Sequence, residues 1–344
     1  MSKLRVGVIG LGKMGLLHSG IFNQLESSTL VAASEIDSLT GNLVKTYLPH
    51  VSVYRDYETM FKREELDIAA ITTPVFLHKP IIETALEHDC HVFVEKPLAL
   101  NGGECRSVMH TGGNLKTQVG YNRRFLETFK MAKRIIDDSS LGALKFLQSQ
   151  MFETQVLRKE RGWRFDPSKS GGGVIIDLGA HVIDMLHYFV GPLSNVQGIA
   201  QSIVSDNVCD YASINLQFVG GLIGSLELSW SVRHYRLPEM KITMQFEQGT
   251  ITVTEKYIEI YSEVDSHAFK RGWSTFYLQD LTKGVPINLG GPEYTAEDMQ
   301  LLSCIQSNEE PLCNFREAAK TNFAIDAIYD SINAGEMQSI RYEV

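Results

Sequence analysis

Cysteine is scarce and unpaired. Cys90, Cys105, Cys209, Cys304 and Cys313 are scattered through 344 residues, with no C-x-x-C pair among them. An odd, dispersed set excludes a disulfide framework and a zinc ribbon. It predicts reduced thiols in a cytoplasmic protein with no metal site. Positive charge is also short. The 32 Lys and Arg against 41 Asp and Glu leave a net charge of −9, so neither nucleic acid nor an anionic membrane is an expected partner. No apolar run reads as long enough to cross a bilayer, and the first residues enter a strand rather than a secretory leader. What remains is an ordinary globular composition, 44% hydrophobic and 21% charged, at a length that predicts two domains.

The most informative stretch is Val6-Gly7-Val8-Ile9-Gly10-Leu11-Gly12-Lys13-Met14-Gly15. An apolar strand breaks into G-x-G-x-x-G and a helix-like stretch follows, from Leu16 to Leu25. Gly10 permits the tight turn, Gly12 lets backbone approach a pyrophosphate, and Gly15 lets helix pack close to strand. Free N–H groups at the helix start then face the phosphates, with Lys13 and Met14 in the first turn. Glu35 and Asp37 follow Gly15 by 20 and 22 residues, after a second strand-like run. This is where an acidic residue meets the adenosine ribose.

Up to about residue 120, strands and helices alternate. Strands are expected at Arg5–Ile9, Thr29–Ala33, Ile68–Thr72, His91–Val94 and Lys116–Gly120, with helices between them such as Leu39–Leu48, Tyr57–Lys62, Lys79–His88 and Gly103–Thr111. The pattern predicts a doubly wound parallel sheet in an α/β domain, residues 1–121. Residues 122–344 then read as an α+β domain with a large, mainly antiparallel open sheet. It has helices at Glu127–Asp138 and Val174–Val190, a strand at Leu144–Gln155, and hairpins at Val219-Gly220-Gly221-Leu222 and Glu247-Gln248-Gly249-Thr250. A helix over Thr295–Ser307, opened by a Thr295/Asp298 capping pattern, and one over Phe315–Ala334 close the chain.

In the second domain, Gly171-Gly172-Gly173 leads into a helix carrying Asp177, His181 and Asp184 on one stripe. An Asp–His pair on an apolar helix is either a satisfied structural pair or catalytic machinery. Lys96, in Glu95-Lys96-Pro97 at a strand end, is either a solvated turn residue or a cation that polarises a substrate oxygen. Arg123, Arg124, Arg158, Arg161, Trp163 and Arg164 are either solvated and paired with acidic neighbours or an anion-recognising group.

Together the glycine turn, Glu95-Lys96-Pro97, Gly120-Tyr121-Asn122-Arg123-Arg124-Phe125 and the Gly-Gly-Gly…Asp177-x-Gly-x-His181-x-x-Asp184 stretch resemble the glucose–fructose oxidoreductase / inositol dehydrogenase / MocA family across nearly the whole chain. The resemblance implies an N-terminal Rossmann domain, a C-terminal domain whose sheet forms dimer or tetramer contacts, and redox chemistry on a secondary alcohol of a sugar, cyclitol or nucleotide sugar. It implies Lys96 as catalytic lysine, His181 as acid/base and Asp177 as its companion. Cofactor contacts would come from Gly10, Gly12, Lys13, Met14, Gly15, Glu35, Thr73, Pro74, His78, Glu95 and Lys96. Substrate contacts would come from Lys96, Tyr121, Arg123, Trp163, Arg164, Asp177 and His181. Glu35 and the uncharged Ile36 favour NAD over NADP. Val75 stands where many relatives carry Asn, which removes one cofactor hydrogen bond. The resulting expectation is an NAD-dependent dehydrogenase of a sugar-like, possibly anionic or nucleotide-linked, alcohol. Alternatives are an NAD-dependent glycoside-cleaving enzyme working by transient oxidation and elimination, and a non-catalytic NAD or sugar sensor.

Overall fold

Val6, Val8 and Ile9 are fully or almost fully buried, as an apolar, β-branched run demands when it lies in the middle of a sheet covered on both faces. The computed structural model describes residues 3–110 and 112–342. The chain forms two compact units: one runs to Asn122 and takes in Gly284–Ala319, the other holds Arg123–Lys283 and the chain from Lys320.

The first unit alternates β1 (Leu4–Ile9), α1 (Lys13–Gln24), β2 (Ser28–Ser34), α2 (Ser38–Tyr47), β3 (Ser52–Tyr54), α3 (Tyr57–Arg63), β4 (Ile68–Ile71), α4 (His78–Glu87), β5 (His91–Glu95), α5 (Gly102–Met109) and β6 (Thr117–Gly120). Thr111, the last residue of the expected fifth helix, lies outside the described residues. The six strands are all parallel, in the order β3-β2-β1-β4-β5-β6. This is the doubly wound order whose switch point falls between β1 and β4, and ligands of such sheets bind outside the carboxyl ends there.

In the second unit, α6 (Glu127–Asp137) precedes β7 (Leu144–Phe152). The stretch expected as a loop contains a short turn, Trp163–Phe165, and α7 (Pro167–Ser170). The helix expected over Val174–Val190 is two pieces, a π-helical turn at Ile175–Gly179 and α8 (Ala180–Val190). Strands β8 (Leu193–Gln201), β9 (Tyr211–Phe218), β10 (Ile223–Ser229), β11 (Glu239–Phe246), β12 (Gly249–Thr254), β13 (Tyr257–Ser262) and β14 (Gly272–Tyr277) follow, then α9 (Leu278–Leu281). With β15 (Gln338–Ser339) they make a nine-stranded sheet, antiparallel except where β7 and β10 run parallel. Burial alternates most regularly in β9, where Ala212, Ile214, Leu216 and Phe218 point inward. The helical stretch Pro167–Val190 is long and apolar enough to cross a membrane by length and composition, which corrects the expectation that no such run exists. It is mostly buried within the protein.

The segment Gly284–Ala319 returns to the first unit, which a sequential division at residues 121 and 122 did not anticipate. The reason is apolar. In α10 (Pro292–Ser307), Leu301 and Leu302 join the core of Ile21, Phe22 and Leu25. The expected cap is also corrected. The helix starts a turn earlier, with Gly291 as N-cap and Pro292 at its first position. Thr295 and Asp298 are fully buried, and the Thr295 hydroxyl donates to the Ile287 carbonyl at 2.7 Å. The last helix, α11 (Phe315–Ala334), ends at Gly335, whose φ of 72° is left-handed.

Glu297, also on α10, is buried with Oε1 unpartnered. Burial pushes its carboxyl well above the usual carboxylate range, so the fold favours its protonated form. The unfolded chain ionises at about 4.3. A raised acid pKa therefore stabilises fully below that unfolded value, and the contribution is lost as pH rises toward the folded one. Glu297→Gln is expected to melt higher than the parent at pH 8 and to match it near pH 4. Equal melting temperatures at both pH values would contradict this.

Candidate functional site

The carboxyl ends of β1, β4 and β5 bring together Gly10, Thr72–Pro74 and Glu95–Lys96. Gly10 turns the chain with φ 89°, a conformation that suits glycine. A Cβ on Gly15 would lie 1.8 Å from the Gly10 carbonyl oxygen, so helix and strand approach as closely as a missing side chain allows. Gly12 differs. Its φ of −67° is open to any residue, and a Cβ there would meet nothing within 4 Å. Nothing among the described residues requires a glycine at that position, and an occupant reaching the backbone there would.

Other features fit a dinucleotide at this place. α1 has neither a side-chain cap nor an acidic residue in its first turn, which leaves its N–H groups and dipole for an anion. Lys13 is exposed and Met14 half-buried beside it. The half-buried Glu35 carboxylate accepts from the Leu11 N–H at 2.6 Å and the Asp37 N–H at 2.8 Å, so an acid at the end of β2 is fixed on the glycine turn. A carboxylate has about four acceptor sites, and capacity remains for ribose hydroxyls. Asp37 is an N-cap, accepting from Thr40 of α2, which leaves Glu35 as the acid facing the turn. Thr73 Oγ1 is buried with no hydrogen-bond partner, an orphan beside Gly10 that a ligand would satisfy.

Three features here escaped the sequence reading. The Thr72 hydroxyl reaches the Gly10 and Ile9 carbonyls at 2.6 and 3.1 Å, tying β4 to the turn. Arg55 reaches the Ile36 carbonyl at 3.4 Å, so a cation does stand near Glu35, supplied by the chain after β3. His18 on α1 lies between Asp298 and Glu95. His78 and Tyr121 are corrections. His78 is buried, with its ring nitrogens 2.9 Å from the Pro97 and Thr73 carbonyls. The neutral ring donates its one N–H to one of these carbonyls, and its other nitrogen packs against the second. Burial pushes its pKa down. Tyr121 is 1% exposed and belongs to the core. Val75 is buried in a short turn, with Pro74 as its cap.

In the second unit, the glycine triplet is demanded by packing. A Cβ on Gly172 would fall 1.9 Å from the Tyr329 hydroxyl, and one on Gly173 would fall 2.2 Å from the Cys209 carbonyl. Asp177 sits in the π-helical turn and His181 in the first turn of α8, both half-buried. Such turns interrupt helices most often at functional sites. Asp184 is buried in a bidentate pair with Arg124, at 2.7 and 2.8 Å. Arg123 is likewise engaged, its Nε 2.9 Å from Glu255. These two guanidiniums are engaged within the unit, each with a carboxylate partner distant in sequence. Trp163 and Arg164 remain exposed, with the guanidinium 5.7 Å from the indole centroid. Arg158 and Arg161 are exposed as well.

Two family descriptions match: an oxidoreductase family NAD-binding Rossmann fold over residues 4–122, and the Gfo/Idh/MocA C-terminal domain over residues 129–252. Together they span well over half of the chain. The chain belongs to the Gfo/Idh/MocA family. Its first unit is accordingly an NAD-binding Rossmann domain. Among similar proteins, the 1-carboxy-3-chloro-3,4-dihydroxycyclohexa-1,5-diene dehydrogenase of Comamonas testosteroni is 30% identical over 53% of this chain and 46% of its own length. Myo-inositol 2-dehydrogenase of Thermotoga maritima is 25% identical over 66% and 68%. The chain thus spans about half to two thirds of these relatives. A solved levoglucosan dehydrogenase complex with NADH and L-sorbose superimposes with a TM-score of 0.89, at 20% identity and 99% coverage of both chains, which shows the family fold.

The two glycines make opposite predictions. Gly15→Ala is expected to lower the melting temperature sharply, because its Cβ collides with backbone. Gly12→Ala should melt like the parent and bind NADH about tenfold more weakly or worse, a loss of about 1.4 kcal/mol. Unchanged NADH affinity in Gly12→Ala, read by fluorescence titration, would contradict the assignment.

Proposed function

We propose that this chain is an NAD-dependent dehydrogenase acting on a secondary alcohol of a sugar or cyclitol. The observation that carries the reading is the glycine turn held by Glu35 at the same sheet edge as Lys96. A sequence relative named for myo-inositol supports the substrate class. NAD, held by the turn and by Glu35, would supply the hydride acceptor.

The chain's own residues do the rest. Lys96 would hold the substrate oxygen and stabilise the negative charge that grows on it as the C–H bond breaks. His181 would take the hydroxyl proton, since an imidazole titrates near neutrality. Asp177 would orient that ring. Trp163 offers an aromatic face to a sugar ring and Arg164 a cation to an acidic substituent, which favours an anionic sugar derivative over a neutral one. Glu35 would repel a 2′-phosphate, although Arg55 places a compensating cation nearby.

The outward face of the nine-stranded sheet carries Phe146 and Ile223 on neighbouring strands, with Ile199 farther along, at 46%, 60% and 69% exposure. Apolar side chains in a wide sheet face suit a second copy of the chain. We take the protein to be a homodimer or homotetramer through this surface.

Lys96→Ala and His181→Ala should each lower kcat by at least about a hundredfold while leaving NADH affinity close to that of the parent. A sugar panel followed at the NADH absorbance provides the assay. Loss of NADH binding in both variants would overturn the roles, and bound NAD with no net NADH from any sugar would favour transient oxidation instead. Ile223→Glu should shift the species seen by light scattering toward monomer; a monomeric parent would contradict the sheet contact.

A further inference from the structure

His18 lies one turn beyond Gly15 on α1, and its imidazole is fully buried between two carboxylates. Nδ1 is 2.9 and 3.0 Å from the oxygens of Asp298 on α10, itself fully buried. Nε2 is 3.2 Å from Oε1 of Glu95 at the end of β5, whose side chain is 15% exposed. The second Glu95 oxygen accepts the Lys96 N–H at 3.3 Å. The ring rests on Phe93 at 4.6 Å, with Tyr294 edge-on at 6.2 Å. All of these groups belong to the first unit.

The chemistry follows from donor counting. A neutral imidazole has one N–H, and two ionised carboxylates each need a donor. Only the imidazolium donates to both at once; burial raises the Asp298 carboxyl above its ordinary range, and the charge and hydrogen bond of the His18 ring act against that rise. Burial alone would lower the pKa of His18, but attraction and hydrogen bonds from Asp298 and then Glu95 outweigh it and hold the pKa well above the ordinary value. Glu297 lies close enough to be felt electrostatically, and burial pushes its own carboxyl well above the usual range. The fully buried Asp298 can reach no ligand, whereas Glu95 is partly open, next to Lys96 at the edge where the glycine turn lies.

We propose that His18, gripped by Asp298, is a positioning residue that fixes the Glu95 carboxylate for the bound cofactor and ties it rigidly to the helix whose N-terminus receives the phosphates. The proposal rests on the cofactor site described above. α1 would then act at both of its faces. Its first turn takes the anion, and its sixth residue holds the carboxylate that borders the reacting end of the site. Cutting the link leaves a loosened Glu95 and a weaker grip on NADH, without any change at Gly12 or Glu35.

The test uses the full-length protein and two readouts. In the free protein, nitrogen NMR of the His18 ring should show both nitrogens protonated at pH 7.5, and Glu95→Gln should shift its titration to lower pH. A ring that titrates near 6.5 and ignores Glu95→Gln overturns the proposal whatever NADH does. In the second readout, His18→Gln and Glu95→Gln should each weaken NADH binding about tenfold, and the double variant should bind no more weakly than either single one. Additive losses, or parent-like affinity in His18→Gln, overturn it. Should His18→Gln fail to fold, Asp298→Asn, which keeps the ring and removes its anchor, carries the same cycle with Glu95→Gln. NMR coupling in a parent protein that does not bind NADH would identify the failure as that of the cofactor site, and the positioning role would fall with it.

Discussion

The approach of α1 to β1 at the glycine turn is the constraint on which the first unit depends. Helix and strand are so close at Gly15 and Gly10 that the contact is backbone on backbone. Once that is set, the loops around it have little freedom. Glu35 closes the turn from β2 through the Leu11 N–H, and Thr72 closes it from β4 through the Gly10 carbonyl. His78 then fills the space between the Thr73 and Pro97 carbonyls and donates its N–H to one of them. Three strand ends are thereby fixed to one turn by polar contacts between neighbours. The unsatisfied atoms left over, chiefly Thr73 Oγ1, and the open space at Gly12 lie where the N-terminus of α1 favours negative charge.

The second unit follows the same economy with different means. Here the backbone approaches are of Gly172 to Tyr329 and Gly173 to Cys209, and they deliver the chain into a π-helical turn at Asp177. The buried pair of Arg124 and Asp184 fixes α8 below that turn. Such a pair is a weak source of stability once desolvation is counted, yet breaking it by removing one partner is costly. It specifies one packing of α8, and with it the setting of Asp177 and His181.

Much of this was legible in the sequence because the signals are local. Five of the six strands of the first unit were legible, whereas β3, three residues at the sheet's edge, is too short to show a pattern, and the roles of Gly10 and Gly15 follow from the spacing of one motif. Glu35 was placed by counting from that motif. What could not be read is what joins residues far apart. Asp298 looked like a capping residue because a Thr three positions earlier fits a local pattern, whereas its partner His18 lies 280 residues away. Arg123 and Arg124 looked like an anion site because their acidic partners, Glu255 and Asp184, are distant in sequence. Arg55 reaches Ile36 only because β3 lies beside β2. The return of α10 to the first core rests on Leu301 and Leu302, whose apolar spacing gives no hint of which core they join.

The glycine turn with Glu35 suits a dinucleotide whose adenosine ribose carries no phosphate. Parallel calorimetric titrations of the unmodified protein with NADH and NADPH test it most directly. The account predicts that NADH binds at least about tenfold more tightly, an advantage of about 1.4 kcal/mol. Equal affinity, or a preference for NADPH, would show that the cation at Arg55 outweighs the Glu35 carboxylate and would contradict it.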